Sequence, residues 1–335
     1  MELKTIAFDV MGSDNGLIPA VDAAIKLLGE QKDLKIIFVG DEATIKEALL
    51  KKKYNPEQVD FLNTSQVIEM TDGIMEIRRK KDSSMVRALE LVNEGKADAI
   101  TTGGATAPFI AGSFFILKQM EGVERPAFMP VIPTLIKDKI TLLLDVGANL
   151  ECDPQDIEKF AIMANAYSKA VRGIETPKIA LLNIGEEKSK GLEVHKEAYK
   201  LLEANSELDF IGNIESRYIT SGIADIIVAD GLTGNIALKA IEGMAKNLLT
   251  EIKSAITKTF GRKLAALRLK GAFKEVAAKF DYKNHAGAIL LGVNKIAFKS
   301  HGSSDVKSFY ATLKMTYNAI KNDVLNRVKT ALKVK

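Results

Sequence analysis

Tryptophan is absent from the chain, cysteine occurs once, at Cys152, and histidine occurs three times. A lone cysteine excludes an intrachain disulfide and any multi-cysteine metal site. Its neighbours supply no partner base, so Cys152 is expected to be structural. The scattered His195, His285 and His301 have no metal-ligand spacing, and no transition-metal site or cofactor is expected. Aromatic residues reach only 6 %, too few for a base-stacking surface, and a net charge of +4 does not call for nucleic acid as a partner. No apolar run approaches the ~20 residues that span a bilayer. Residues 1–10 enter a strand pattern at once, without a secretory leader pattern, so the expected location is cytoplasmic. Neither a P-loop nor a Gly-x-Gly-x-x-Gly after the first strand is present, which removes the two commonest nucleotide fingerprints.

What is present is a rhythm of strand, glycine turn and helix through 335 residues of 47 % hydrophobic content. The stretch from Lys178 to Lys196 shows it best. A continuous apolar run (179–182) ends in Asn183-Ile184-Gly185, then Glu186, Glu187, Lys188 and Lys190 crowd a turn, and a helix begins near Leu192. Comparable strands are expected over 5–10, 34–39, 59–63, 97–101, 142–144, 224–229 and 295–299. Helices are expected over 18–28, 42–52 and 85–93, the last capped by Ser83-Ser84. The alternation predicts a doubly wound, mostly parallel α/β sheet forming a single unit over 1–335. One region breaks the rhythm. From Ile241 to about Phe280 the pattern is helical throughout, with Gly261 interrupting it. Between Lys246 and Lys279 nine Lys and Arg stand against Glu251 and Glu275. A basic amphipathic hairpin over 241–285 suits a second subunit, an anionic membrane, or the chain's own sheet.

Six polar turns follow strands, over 9–14, 101–106, 145–149, 183–191, 230–235 and 299–305, and are expected to gather along one edge of the sheet, where ligands bind. Gly12, Gly103, Gly104, Gly185, Gly231 and Gly234 expose backbone N–H groups there. Thr106, Ser303 and Ser304 add hydroxyls, Asp9 and Asn183 further polar groups, and Lys190, Lys239 and Lys299 positive charge. That composition suits phosphate or another compact oxyanion. His301, set among glycine and hydroxyl groups, reads as a functional donor, His195 as a surface residue on a helix, and His285 as either.

The motifs FDVMGSD (8–14), RKKDSSM (79–85), LVNEGKADA (91–99), ERPA (124–127) and LLDVGAN (143–149) then occur in order, followed by LLNIGEEKSKG (181–191), FIGNIE (210–215), ADIIVADGLTGNIALK (224–239) and SHGSSD (300–305). Together they resemble the PlsX family of phosphate acyltransferases, which convert fatty acyl-acyl carrier protein and inorganic phosphate to acyl phosphate. The resemblance implies an isopropylmalate dehydrogenase-like and phosphotransacetylase-like fold, a homodimer, and peripheral contact with a membrane through the helical excursion. It also implies delivery of product to a membrane glycerol-3-phosphate acyltransferase. The chain departs from the family pattern at Gly104, where asparagine is usual, at Asn15, where histidine is usual, at Leu192, and over Ala286-Gly287-Ala288-Ile289. Clustered anion-binding turns without a paired nucleophile point to direct attack of phosphate on the thioester. Lys190 is the expected cation for phosphate or the oxyanion, Asn235 and His301 the donors, and Asp230 an orienting acid. A short-chain phosphotransacylase using acyl-CoA and a non-catalytic membrane scaffold are the rival readings. A nicotinamide-dependent dehydrogenase rests on fold analogy alone.

Overall fold

In a computed structural model that describes residues 3–279 and 287–333, β1 (Lys4–Asp9), α1 (Ile18–Glu30), β2 (Leu34–Gly40), α2 (Glu42–Leu49) and β3 (Val59–Asn63) lead the chain. Next come α3 (Glu76–Arg79), α4 (Ser84–Asn93), β4 (Ala99–Thr102), α5 (Thr106–Gly112), β5 (Ala127–Pro133) and β6 (Ile140–Leu144). The chain continues through α6 (Pro154–Tyr167), β7 (Lys178–Asn183), α7 (Glu193–Ala204), β8 (Asp209–Glu215) and β9 (Ile226–Val228). It ends with α8 (Gly231–Thr257), α9 (Phe260–Lys279), β10 (Ala288–Leu291), β11 (Ile296–Lys299), α10 (Val306–Lys321) and α11 (Val324–Ala331). His285 and Ala286 lie outside the described residues, as does the end of the expected hairpin.

Among the described residues the eleven strands form one sheet, in the order β3-β2-β1-β4-β11-β10-β5-β6-β9-β7-β8. Successive residues of a strand point to opposite faces, and here both faces are covered. Ile6 and Phe8 pack under α1 and α10, whereas Ala7 joins α4 and α5 on the other side. Likewise Leu142, Leu144, Ile179 and Leu181 pack against α6, α7 and α11, while Leu143, Ala180 and Leu182 pack against the start of α8. The continuous apolar runs in the sequence follow from this two-sided burial.

The expectation of a mostly parallel sheet is met, but not that of a single ligand-binding edge. β10 runs antiparallel to both β11 and β5, and β5 runs antiparallel to β6. The strands β6, β9, β7 and β8 therefore point opposite to β1–β4 and β11. The turns after β4 and β11 and those after β6 and β9 thus leave strands of opposite direction, yet Thr106, Gly147, Asn235 and His301 from these four turns face one cavity.

Three local expectations also change. The long helical excursion starts at Gly231, ten residues before Ile241, because Asp230 caps α8 with an acceptor for Thr233 N at 2.8 Å. Its break falls at Lys258 and Thr259, and Gly261 lies inside α9. Ser83 occupies the cap position of α4, but its hydroxyl is buried with no hydrogen-bond partner.

Candidate active site

A cavity of about 340 Å³ lies between α8, the strands β5 and β10, and the turns after β4 and β11. Phe128, Pro130, Ile132, Val146, Leu238 and Ile241 give it an apolar wall. Thr106, Asn235, Lys239, Glu242, Lys299, Ser300 and His301 supply the polar lining. Such a lining suits a ligand with a long apolar part and a compact charged or polar head.

The position of Asn235 follows from the close approach of α8 to the turn after β6. A Cβ on Gly231 would lie 1.9 Å from Asn149 O, and one on Gly234 would lie 1.9 Å from Asp145 O. Only glycine at both places lets the helix sit this low. Asp145, wholly buried, holds the opposing turn by accepting from Phe128 N, Ala148 N, Asn149 N and Asn149 Nδ2 at 2.8–3.1 Å. Gly147, at φ +112°, completes the fit, since a Cβ there would come 2.5 Å from Asn235 Nδ2.

Lys299 ends β11 with its side chain buried, and Nζ donates to Ser300 O at 2.9 Å. That bond uses one of three ammonium donors. Burial pulls its pKa down to about 8, assisted by Lys239 and opposed by Asp14. His301 accepts at Nδ1 from Ser303 N at 3.2 Å and lies 2.9 Å from Ser303 Oγ. This network assigns the proton of the neutral ring to Nε2. Burial and the nearby Lys299 hold the imidazole below its ordinary pKa, so it stays a neutral donor at pH 7.

The turn carrying these two residues is held from several sides. Asp14 N donates to Gly302 O at 3.0 Å, and Asn15 Nδ2 donates to Ser303 O at 2.9 Å and Ser304 O at 3.1 Å. Ser300 and Ser304 hydroxyls lie 2.7 Å apart, and Thr312 Oγ1 reaches Ser300 Oγ at 3.0 Å. Asn15, one of the departures from the family pattern, thus carries a defined structural task.

Of the residues expected at the site, Thr106, Asn235 and His301 come together in the cavity. Ser303 and Ser304 instead bond within their own turn. Asp9, Gly12, Gly103 and Gly104 do not line the cavity. Asp9 accepts from Thr102 Oγ1 at 2.7 Å and Met11 N at 3.1 Å, and burial raises its pKa to about 6 against the lowering effect of these bonds and of Ser84. Cβ atoms on Gly103 and Gly104 would meet Phe309 and Met85 at 2.7 Å, and one on Gly12 would meet Ile68 O at 2.6 Å. Asn183, Gly185 and Lys190 form a separate turn after β7, in which Asn183 Nδ2 donates to Lys190 O at 3.1 Å. The Lys190 side chain is exposed and does not line the cavity.

The surface position expected for His195 is corrected. The residue is buried, with Nε2 3.0 Å from Asp230 Oδ2 and Nδ1 accepting from Leu192 N at 3.2 Å. Burial raises the Asp230 carboxyl, but hydrogen bonds from His195 and Thr233 outweigh it and hold the pKa at about 2. His195→Ala should therefore cost about 1–3 kcal/mol, read as a lower urea midpoint at pH 7. Asp230 titrates below its ordinary 3.8, so the bond contributes above that pH and is lost as pH falls through about 2. The gap between variant and parent should close over that same window, and a gap that persists at pH 2 would refute the linkage.

Sequence reasoning assigned Lys299 only to a general positive field and missed the apolar wall altogether. The signal for Lys299 was a cation closing an apolar strand two residues before His301. The wall lay in 127–133, where Pro130 and Pro133 mask the strand β5.

Comparison with solved structures places this fold among phosphotransacylase-like and dehydrogenase-like α/β proteins. EutD phosphotransacetylase from Staphylococcus aureus aligns with a TM-score of 0.60 at 19 % identity, covering 95 % of this chain and 94 % of that one. A 4-hydroxythreonine-4-phosphate dehydrogenase from Klebsiella pneumoniae aligns at 0.53 and 14 % identity, with coverage of 94 % and 98 %. The fold is isopropylmalate dehydrogenase-like, as the resemblance implied. At the sequence level, the family described as "Fatty acid synthesis protein" matches residues 4–327, and the chain belongs to that family. It is 58 % identical over 327 residues to the phosphate acyltransferase of Mesoplasma florum, covering 98 % of this chain and 99 % of that protein.

Proposed function

We propose that the protein transfers a fatty acyl group from the thioester of an acyl carrier protein to inorganic phosphate, forming acyl phosphate for phospholipid synthesis. The observation that carries this reading is an apolar cavity lined also by Asn235, Lys299 and His301. The acyl tail lies along Phe128, Ile132, Leu238 and Ile241, and the thioester and phosphate meet at the polar groups. A phosphate oxygen attacks the carbonyl carbon, and the oxyanion that forms is met by the Lys299 ammonium and the Asn235 amide. Collapse breaks the C–S bond. The thiolate takes the proton of the attacking hydrogen phosphate, held in place by the hydrogen bond that His301 Nε2–H donates, so no net proton is gained or lost. Asp230 is a positioning residue, since it caps the helix that carries Asn235. Lys190 contributes field rather than contact in this reading, and Lys299 takes the contact role first assigned to it.

The hairpin supports two further parts of the proposal, a homodimer and a peripheral membrane contact at the cytoplasmic face. Leu232, Ile236, Met244 and Leu248 recur on one face of α8 and are all more than half exposed, as are Phe260, Leu264 and Leu267 on α9. No helix among the described residues is long and apolar enough to cross a membrane. We assign the α8 stripe to a second copy and the tip around Lys258, Arg262 and Lys263 to anionic lipid, next to the glycerol-3-phosphate acyltransferase that consumes the product.

The test is acyl phosphate formation from palmitoyl-acyl carrier protein and phosphate, beside palmitoyl-CoA or acetyl-CoA and phosphate. Product from the carrier protein supports the reading. Acyl phosphate from acetyl-CoA but not from the carrier protein would favour a short-chain phosphotransacylase, and none from any donor would leave a scaffold.

A further inference from the structure

A second exposed apolar face adjoins the cavity and is used by nothing described above. It is formed by the segment 70–81 and the π-helical turn Ser113–Leu117 that continues α5. Ile74 and Met75 are 51 % and 53 % exposed, and Phe114 and Phe115 are 42 % and 46 % exposed. The two phenyl rings meet edge to face at 5.6 Å, and the Arg78 guanidinium lies 4.3 Å from the Phe115 ring centre.

The face is built on a fixed platform. Lys80 Nζ donates to Asp72 Oδ2 at 2.5 Å and to Val67 O at 2.9 Å, closing the loop on itself. Asp82 accepts from Ser65 N and Oγ at 2.9 and 2.7 Å. Ile77 is buried against Gly112, where a Cβ would lie 2.8 Å from its Cδ1. Met70 joins the platform to the cavity, because it lines the cavity and packs on Gly302 beside His301.

We propose that this face is the docking surface for the acidic acyl carrier protein, an inference that rests on the carrier-thioester reading above. Exposed Met and Phe side chains beside the exposed Arg78 and Lys81 match the make-up of a binding hot spot. The charge complements an acidic helix with an apolar stripe. It does not complement a second copy of this face, because its acids Asp72 and Glu76 are already bound by Lys80 and Arg79. Met70 sets the face beside His301, where the thioester has to arrive.

The experiment uses the full chain and measures steady-state kinetics with palmitoyl-acyl carrier protein, together with calorimetric binding of the holo carrier protein. Arg78→Glu with Lys81→Glu should raise KM about tenfold, ~1.4 kcal/mol, with kcat unchanged, and should weaken carrier binding by the same factor. Met75→Glu, which keeps every cation, should act in the same direction. The same charge reversal at exposed Lys32 and Lys51 should leave both readouts unmoved. Unchanged KM and binding in the Arg78/Lys81 variant overturn the docking surface while leaving the reaction intact. Dissociation of an oligomer by that variant, seen in sedimentation, overturns it in favour of a contact between copies. A parent chain that binds the carrier protein yet makes no acyl phosphate sinks the reaction and leaves the docking surface standing.

Discussion

Lys299→Met is expected to lower kcat by about 10²–10³-fold, the usual cost of losing one preorganised donor to an oxyanion, without loss of the fold. Methionine is close to lysine in length and removes a buried charge, so the melting temperature should hold or rise. The pH profile is the sharper readout. The ammonium is the active form and its pKa is about 8, so turnover of the parent should fall as pH rises through that value. In the variant this alkaline limb should disappear. Stability moves the other way with pH. The unfolded lysine keeps its proton up to its ordinary 10.5, so between about 8 and 10.5 the unfolded chain holds more protons and rising pH favours the folded state. Full turnover in Lys299→Met, or an unchanged alkaline limb, would remove Lys299 from the reaction and leave Asn235 and His301 as its only direct donors.

Reversing the charge at Lys258, Arg262 and Lys263 should weaken binding to anionic vesicles by about 100-fold or more. Each cation near such a surface contributes ~1 kcal/mol, and three removed together give ~3 kcal/mol before any repulsion is added. Lys258 sits in the turn between α8 and α9 and Arg262 and Lys263 in the first turn of α9, all exposed and far along the chain from Asn235. Acyl phosphate formation from carrier protein in free solution should therefore be unaffected. Vesicle co-sedimentation at low and high salt checks the prediction, and equal binding by parent and variant would end the membrane role of this tip.

Much of the sheet was legible because burial on two faces leaves an unbroken apolar run. β1, β2, β3, β7 and β11 fall within a residue or so of their expected positions. The strands β5, β8 and β10 escaped for local reasons. Two prolines interrupt β5, β8 is exposed at alternate residues, and β10 has only four residues. The reversal of direction between β5 and β6 left no local trace, because pairing across a sheet is set by distant partners. The same limit applied to the site. Asn235 and His301 carried visible turn chemistry. His195, flanked by Glu193, Lys196 and Glu197, looked solvated, and only the tertiary fold shows that it turns inward to Asp230. Lys190 carries the same charge as Lys299 but lies in the turn after β7, outside the cavity.

β11 is the last strand among the described residues, yet it lies in the middle of the sheet, between β4 and β10. A ribosome making this chain thus has to pass Ile296 before the central gap can close. Until then the pairing edge of β4 stays open, a state prone to wrong association. Lys299 and His301 enter with the closing strand and the turn that follows it. In the proposed reaction, a chain that stops short of β11 therefore lacks both the cation and the donor that the acyl phosphate step needs.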